Sequence, residues 1–102
     1  MLGPDHLKVA QSLNNLGLFY HNRSRYAAAE PLFQRSLAIL EKVLGPEHPD
    51  VATTLDNLAE LYRNCGDFEK AESLRKRAQA ILESRSVNQY LVISVARPAG
   101  WI

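Results

Sequence analysis

The sequence predicts an all-α protein built from two tandem helix-turn-helix units, a fragment of an α-solenoid with four antiparallel helices. The first observation is an internal repeat, because the segment Leu-Gly-Pro-Asp-His at residues 2–6 returns 42 residues later as Leu-Gly-Pro-Glu-His. The second is a helical spacing of apolar residues in both copies, at i, i+3, i+4 and i+7. Repeats of about 20 to 50 residues indicate units that bury their apolar faces by stacking on one another.

The first helix of each unit, helix A, is predicted from this spacing and runs from about Lys8 to Asn22 in the first unit. Its packed face has two leucines, a small residue and a tyrosine in each unit, namely Leu13, Leu16, Gly17 and Tyr20, then Leu55, Leu58, Ala59 and Tyr62. The small residue leaves room for another helix to approach closely, which a leucine would prevent.

A break separates helix A from the second helix, helix B, at residues 22–25 and 64–67. Gly66 suits the left-handed conformation that ends a helix, and Asp67 suits the N-cap of the next one. Ser24 occupies the position of Gly66 in the first unit and is a poorer turn residue. We therefore expect that turn either to be strained or to use Asn22 in the left-handed role.

Helix B is predicted over residues 26–44 and over about residues 68–84. In the first unit it has a broad apolar face formed by Ala29, Leu32, Phe33, Ser36, Ile39, Leu40 and Val43. In the second unit Arg75 replaces Phe33, so this helix is expected to pack less well. Pro49 suits the first turn of the intervening helix A. The two units are expected at about residues 7–43 and 49–85, within a repeat region of residues 2–85.

The repeat fails after Arg85, and residues 86–102 are predicted to form an irregular apolar tail. The stretch from Tyr90 to Ala96 is β-branched and apolar, which favours a strand or an extended segment over a helix. The tail could cover the last helix B, pair between chains, or be a remnant of truncation without a selected structure. We favour the first interpretation, because two repeats are fewer than the roughly three usually needed for stability.

Composition narrows the classes of partner. The net charge of +1 gives no strong field that would recruit nucleic acid or an acidic membrane. The single cysteine, Cys65, permits no internal disulfide, which fits a cytoplasmic location. No secretory signal or membrane-spanning stretch is recognisable. Because Leu2 already lies inside the repeat, we expect a piece of a longer array or a very short member of such a family.

These residues resemble the tetratricopeptide repeat, in the long form found in kinesin light chains and their relatives. The resemblance is carried by the Leu-x-x-Leu-small-x-x-Tyr patterns that begin at Leu13 and Leu55, and by Ala29, Pro31, Phe33 and Ala71. The Leu-Gly-Pro-Asp/Glu-His linkers and the Leu-x-Asn-Leu core are typical of the kinesin-light-chain-like subgroup. The resemblance covers residues 2 to about 85 and implies a protein-binding scaffold whose A helices line a concave groove.

By this resemblance, the groove is formed by the helix A residues that flank the packed face. In the first unit these are Gln11, Asn14, Leu18, His21 and Asn22, and in the second unit they are Thr53, Asp56, Glu60, Arg63 and Asn64. Asparagine suits this role because its amide can both donate to and accept from a peptide backbone. The alternative is that these residues are only the solvated faces of two helices.

A clamp for the C-terminal carboxylate of chaperones is not expected. Such repeats place an asparagine directly after the small packing residue, where this sequence has Leu18 and Glu60. Glu60 and Asp56 would repel a carboxylate. A polar or mixed-charge partner segment is therefore favoured.

Other kinds of site are less well supported. A basic cluster on the second helix B lacks interleaved aromatics and is diluted by glutamates, which favours a solvated face over a nucleic-acid or lipid site; it comprises Lys70, Arg75, Lys76, Arg77 and Arg85. His6 and His48 lie one repeat apart, too distant to share a metal ion, so a linker or capping role is expected. No phosphate loop, metal-spaced cysteine pair or nucleophile with a base is present, which predicts no catalytic residues, no cofactor and no metal.

The sequence thus predicts a non-catalytic protein–protein interaction module that binds a peptide or protein segment in the helix A groove. The alternative is a structural fragment of a longer array, whose exposed faces mediate self-association into a homo-oligomer. Neither nucleic acid nor a membrane is expected as a partner.

Overall fold

The computed structural model describes residues 6–96, with side chains described for residues 6–84. Four helices occupy this part of the chain: α1 (Leu7–Asn22), α2 (Tyr26–Leu44), α3 (Pro49–Asn64) and α4 (Phe68–Ala96). Helix α1 packs on α2 and α3 packs on α4, while α2 packs on α3 and so joins the two pairs. The predicted all-α class and the pairing of helices are confirmed, and no strand occurs between residues 6 and 96.

Histidine side chains cap both A helices. The Nδ1 atom of His6 accepts a hydrogen bond of 3.0 Å from the backbone N–H of Lys8. The Nδ1 atom of His48 accepts an equal bond from the N–H of Asp50. Each ring thereby satisfies one of the N–H groups that has no partner in the first turn of a helix. The capping role predicted for the two linker histidines is confirmed.

The turns between helices A and B share one backbone geometry in the two units. The N–H of Arg25 donates to the carbonyl of Tyr20 at 2.9 Å, as the N–H of Asp67 donates to that of Tyr62 at 2.8 Å. These bonds place Ser24 at a φ of 62°, where the second unit has a glycine at 88°. The suggestion that Asn22 takes the left-handed role is wrong, because Asn22 remains helical and the bonds to the α1 carbonyls fix the position of the turn.

Only the second helix B begins with a side-chain cap. The Oδ1 atom of Asp67 accepts from the N–H of Lys70 at 3.2 Å, as the sequence predicts. Arg25, at the matching position of the first unit, makes no capping hydrogen bond.

The fully buried ring of Phe33 lies at the junction of the two units. It packs against Gly17 of α1, where a Cβ atom would lie only 2.7 Å from Cε1 of the ring. It also belongs to an apolar cluster with Ala29 of α2 and with Leu58 and Leu61 of α3. The predicted need for a small residue at position 17 is confirmed, since the ring occupies the space that a side chain would take.

A second apolar cluster draws residues from all four helices. It contains Ala10, Ile39, Leu40, Val51, Ala52, Leu55, Ala78 and Ile81. The buried hydroxyl of Ser36 donates to the carbonyl of Ala10, a member of this cluster, at 2.8 Å, so this polar group is satisfied.

Polar contacts also join the two units. The hydroxyl of Tyr62 on α3 donates to Oε2 of Glu30 on α2 at 2.5 Å and accepts from Nε2 of Gln34 at 3.1 Å. The guanidinium of Arg77 on α4 pairs with the carboxylate of Glu41 on α2. Helix α2 therefore holds the second unit by both apolar and polar contacts.

Two members of the predicted packed faces are largely exposed. Leu16 on α1 is 43% exposed, although its counterpart Leu58 on α3 is buried. Val43 on α2 is 45% exposed. The expectation of burial was wrong for both, because a helical spacing identifies a face and not the presence of a neighbour that covers it. Leu58 packs against α2, and within residues 6–96 no equivalent helix covers Leu16.

The prediction that helix B of the second unit ends near residue 84 is also wrong. Helix α4 continues to Ala96, so the segment Tyr90–Ala96 is helical where its residue types favour an extended conformation. No proline or glycine interrupts the sequence between Phe68 and Ala96, and β-propensity is too dependent on context to end a helix. A segment that continues α4 does not fold back over it, so residues 86–96 do not cover this helix. Residues 97–102 of the proposed tail lie outside the described residues.

We expect Gly17→Ala to lower the free energy of unfolding by about 1 kcal/mol. Overpacking against the Phe33 ring costs about 1–3 kcal/mol, which outweighs the gain of about 1 kcal/mol in helix propensity. Urea denaturation followed by circular dichroism measures the change. In a Phe33→Leu background the same substitution should cease to destabilise, and an equal loss in both backgrounds would contradict the close contact.

The strained turn at Ser24 predicts that Ser24→Gly raises the free energy of unfolding by about 0.5–1 kcal/mol, because glycine adopts a positive φ without steric cost. The matched control is Gly66→Ser, which should lower the stability by about 1 kcal/mol. Thermal denaturation of both variants tests the pair, and two neutral substitutions would count against strain at this turn.

Burial, and after it the hydrogen bond to Glu30, raises the pKa of Tyr62 from 10.0 to about 12. The folded state thus holds the phenolic proton more tightly than the unfolded state. The resulting stabilisation is complete below pH 10 and is lost as the pH rises toward 12. Over this interval we expect the wild-type protein to lose more unfolding free energy than Tyr62→Phe in urea titrations. Parallel losses in the two proteins would show that the Tyr62 contact does not couple to folding.

Candidate functional site

Two polar pairs connect the A helices, and we call these four residues the α1–α3 seam. The Nδ2 atom of Asn57 donates to Oδ1 of Asn14 at 3.0 Å. The Nδ2 atom of Asn64 lies 2.8 Å from Nε2 of His21, which accepts when the amide donates. The pairs are two helical turns apart on each helix, so they lie on one shared face.

The Asn14–Asn57 pair keeps unused hydrogen-bonding groups. Asn14 contributes only its carbonyl oxygen to the pair, so its amide N–H groups stay free of protein partners in the described part of the chain. Asn57 contributes its amide nitrogen and keeps its carbonyl oxygen as an acceptor. The pair can therefore offer one donor and one acceptor to a molecule that lies across α1 and α3.

A cleft of about 350 Å³ opens beside this pair, between the N-terminal halves of the A helices. Helices α1 and α3 form its walls and α2 its floor, through Leu7, Ala10, Gln11, Asn14, Ser36, Leu40, Asp50, Thr53 and Thr54. The leucines supply an apolar base, and Asp50 is the only charged residue among those described in the lining. The cleft is thus mixed in character, with one negative charge at its edge.

Several hydroxyl groups of the cleft already donate to the backbone. Thr53 Oγ1 donates to the carbonyl of Pro49 at 3.3 Å, and Thr54 Oγ1 donates to that of Asp50 at 3.2 Å. The Ser36 hydroxyl donates to Ala10. The hydrogen-bonding groups left for a ligand are therefore mainly the amides of Gln11 and Asn14 and the Asp50 carboxylate.

The structure brings together only part of the set of groove residues predicted from the sequence. Gln11, Asn14 and Thr53 line the cleft, and His21 and Asn64 form the second pair of the seam.

The other predicted groove residues are placed differently. Leu18 is half-buried against the apolar cluster of Phe33, so it serves packing as well as the surface. Asn22 is exposed at the C-terminal end of α1.

Asp56, Glu60 and Arg63 lie on a separate edge of α3. Asp56 and Arg63 occupy, one repeat later, the positions at which Asn14 and His21 of α1 face the next A helix. They therefore lie on the edge of α3 that faces away from α1, and all three residues are exposed. They extend the surface of the A helices without touching the seam.

Sequence reasoning missed Asn57 and Asp50. Asn57 carried a signal, since it repeats Asn15 inside the Leu-x-Asn-Leu core, where a polar residue between packed leucines needs a partner. Asp50 follows the proline that begins α3, which places it at the N-terminal end of that helix beside the cleft. Thr54 lies one turn further along the same face of α3 and is buried.

The basic cluster on α4 is partly neutralised. Arg77 pairs with Glu41, and Nζ of Lys70 lies 3.9 Å from Asp67 and 5.3 Å from the centre of the Tyr62 ring. Among the helices between residues 6 and 96, none contains an apolar stretch of the length needed to cross a bilayer.

The sequence matches the family model of the tetratricopeptide repeat over residues 8–84, a range that holds nearly all of α1, all of α2 and α3, and the first half of α4. Comparison with curated proteins gives no significant match. Repeats of this family generally mediate protein–protein interactions and are typically non-catalytic. Because the match covers most of its length and agrees with the helix pairs, the chain belongs to the tetratricopeptide repeat family.

Proposed function

We propose that this protein is a non-catalytic interaction module that binds an extended peptide segment across α1 and α3. The observation that carries the proposal is the Asn14–Asn57 pair, with its unused donor on α1 and unused acceptor on α3. One residue of an extended peptide presents an N–H and a C=O on the same side, and the pair can satisfy both. Such contacts recognise the backbone of a peptide whatever its side chains.

The adjacent cleft adds side-chain selectivity to this proposal. Its volume of about 350 Å³ suits one large side chain, and its leucines favour an apolar one. Asp50 at the edge favours a basic neighbour in the peptide through charge attraction. We therefore infer a ligand segment in which an apolar residue lies next to a lysine or arginine.

The exposed edge of α3 extends the proposed surface. Asp56, Glu60 and Arg63 are the predicted groove residues on this edge, and their mixed charges favour a partner segment of mixed charge. Together with the seam and the cleft they would contact a longer stretch of the partner.

We also propose that the chain belongs to the kinesin-light-chain-like subgroup and has a cytoplasmic location. The 42-residue period and the recurring Leu-Gly-Pro-Asp/Glu-His linkers support the subgroup, and the presence of a single cysteine is consistent with the location.

Peptides selected from a random display library against the wild-type chain test this function. Binding of the selected peptides to the double variant Asn14→Ala, Asn57→Ala should be about thirtyfold weaker by fluorescence anisotropy, since the two lost hydrogen bonds are each worth about 1 kcal/mol. Gln79→Ala is the matched control, because it removes an exposed amide on α4 that belongs to neither the seam nor the cleft. Selected peptides that bind the double variant as tightly as the wild type would exclude the Asn14–Asn57 pair as the binding site.

A further inference from the structure

Helix α1 exposes the face that α3 buries. Leu16 and Phe19 are 43% and 48% exposed, whereas their counterparts one repeat later, Leu58 and Leu61, are 2% and 1% exposed. Leu58 and Leu61 are buried against α2, in the cluster that contains Phe33. The exposed face of α1 therefore has the shape and chemistry that α2 covers on α3.

Helix α4 exposes the complementary face. Leu82 is 47% exposed, while its counterpart Leu40 on α2 is 9% exposed and packs in the cluster with residues of α3. Phe68 is also exposed, although its counterpart Tyr26 packs against the apolar cluster at the α2–α3 junction. Helix α1 thus exposes a face like the α3 side of the α2–α3 junction, and α4 exposes a face like its α2 side.

We propose that a second copy of this chain docks head to tail, so that α4 of one copy covers α1 of the next as α2 covers α3 within the chain. The contact joins two different faces, which we call the α4 face (Phe68, Glu72, Leu82, Glu83) and the α1 face (Leu16, Phe19, Tyr20) with Arg35 beside it. A contact between two different faces can be repeated, so copies can add in a row.

The polar contacts identify a second copy, rather than an unrelated apolar partner, as the occupant. Inside the chain, the Tyr62 hydroxyl donates to Glu30 across the junction. The equivalent residues at the open ends are Tyr20 on the α1 face and Glu72 on the α4 face. A second copy therefore brings the same phenol to the same carboxylate.

The inter-unit ion pair is preserved in the same way. Arg77 pairs with Glu41 between α4 and α2. One repeat earlier the arginine is Arg35, and one repeat later the glutamate is Glu83, and both are exposed. Head-to-tail docking would place Glu83 of one copy beside Arg35 of the next, so the tyrosine–glutamate contact and the arginine–glutamate pair both have identical residues at the ends.

Two substitutions make the contact between copies weaker than the internal junction. Arg75 stands where α2 has Phe33, and Gln79 stands where α2 has Leu37. The α4 face therefore lacks the aromatic ring and one leucine that α2 contributes, and it buries less apolar surface. We expect a reversible association that depends on concentration, not a permanent oligomer.

Docking of this kind would also continue the surface of the A helices. Asp56 and Arg63 occupy the positions of Asn14 and His21, and Asn15 and Asn22 occupy those of Asn57 and Asn64. Across the contact, Asp56 would therefore meet Asn15 of the second copy and Arg63 would meet its Asn22. The polar edge of α3, which has no neighbouring A helix on this side within residues 6–96, would become a second seam.

Sedimentation velocity over a concentration range from about 10 μM to about 1 mM tests the proposal with the full chain. The weight-average mass of the wild type should rise above the monomer mass of 11.4 kDa as concentration increases. Leu16→Asp disables the α1 face and Leu82→Asp disables the α4 face, so each variant alone should remain monomeric. An equimolar mixture should form a species of twice the monomer mass and no larger one, because only one intact pair of faces is left.

The matched control is Val43→Asp, which places the same charge at a position that is 45% exposed and belongs to neither face. It should associate like the wild type. A wild type that stays monomeric at every concentration would overturn the proposal. So would a single face variant that still associates, or a mixture of the two that stays monomeric.

A charge exchange keeps the test decisive if either aspartate variant fails to fold by circular dichroism. Glu83→Arg and Arg35→Glu should each weaken association by at least about tenfold, because like charges then oppose each other across the contact. Mixing the two should restore it, since the arginine introduced on the α4 face then meets the glutamate introduced beside the α1 face. Unchanged association in the separate variants would refute the pairing, and so would a failure of the mixture to recover.

Discussion

The packing of the Phe33 ring against the bare backbone of Gly17 sets the geometry of the whole stack. The ring can lie this close to α1 only because position 17 has no Cβ, and its other side contacts Leu58 and Leu61 of α3. One side chain thereby fixes both the distance within the first unit and the distance between units. The Asn14–Asn57 contact spans those same helices, so the candidate site depends on the depth to which this ring is inserted.

The helices, the histidine caps and the small residue at Gly17 could be predicted because each follows from local chemistry repeated twice. The pairing of Asn14 with Asn57 could not, because it depends on how α1 and α3 are rotated about their axes, and a helical period gives only one face at a time. At the turn, residue preference left open a strained Ser24 or a left-handed Asn22, and hydrogen bonds to the α1 carbonyls selected Ser24. The backbone hydrogen bonds at the end of α1 therefore decided the position of the turn, although serine is a poor residue for a positive φ.

Identical residues in the two units have different environments, and this marks the limit of reasoning from the repeat. Leu16 and Leu58 occupy the same position of the Leu-x-Asn-Leu core, yet within residues 6–96 only Leu58 is buried by a neighbouring helix. The continuation of α4 to Ala96 shows a similar limit, since β-branched residues describe a preference that an uninterrupted helix can override. A repeat thus predicts which surfaces match one another, while their burial depends on what adjoins them.

Asn14 and Asn57 keep different unused hydrogen-bonding groups, and this difference gives the surface between α1 and α3 a direction. The free donor belongs to α1 and the free acceptor belongs to α3. In an extended peptide the N–H of a residue precedes its C=O, so a chain that satisfies both groups must cross from α3 toward α1. A peptide that runs in the opposite direction would bring its C=O to the Asn57 oxygen and its N–H to the Asn14 amide, so neither hydrogen bond could form. In the proposed complex, the two amides would therefore make binding sensitive to the direction of a polypeptide as well as to its composition.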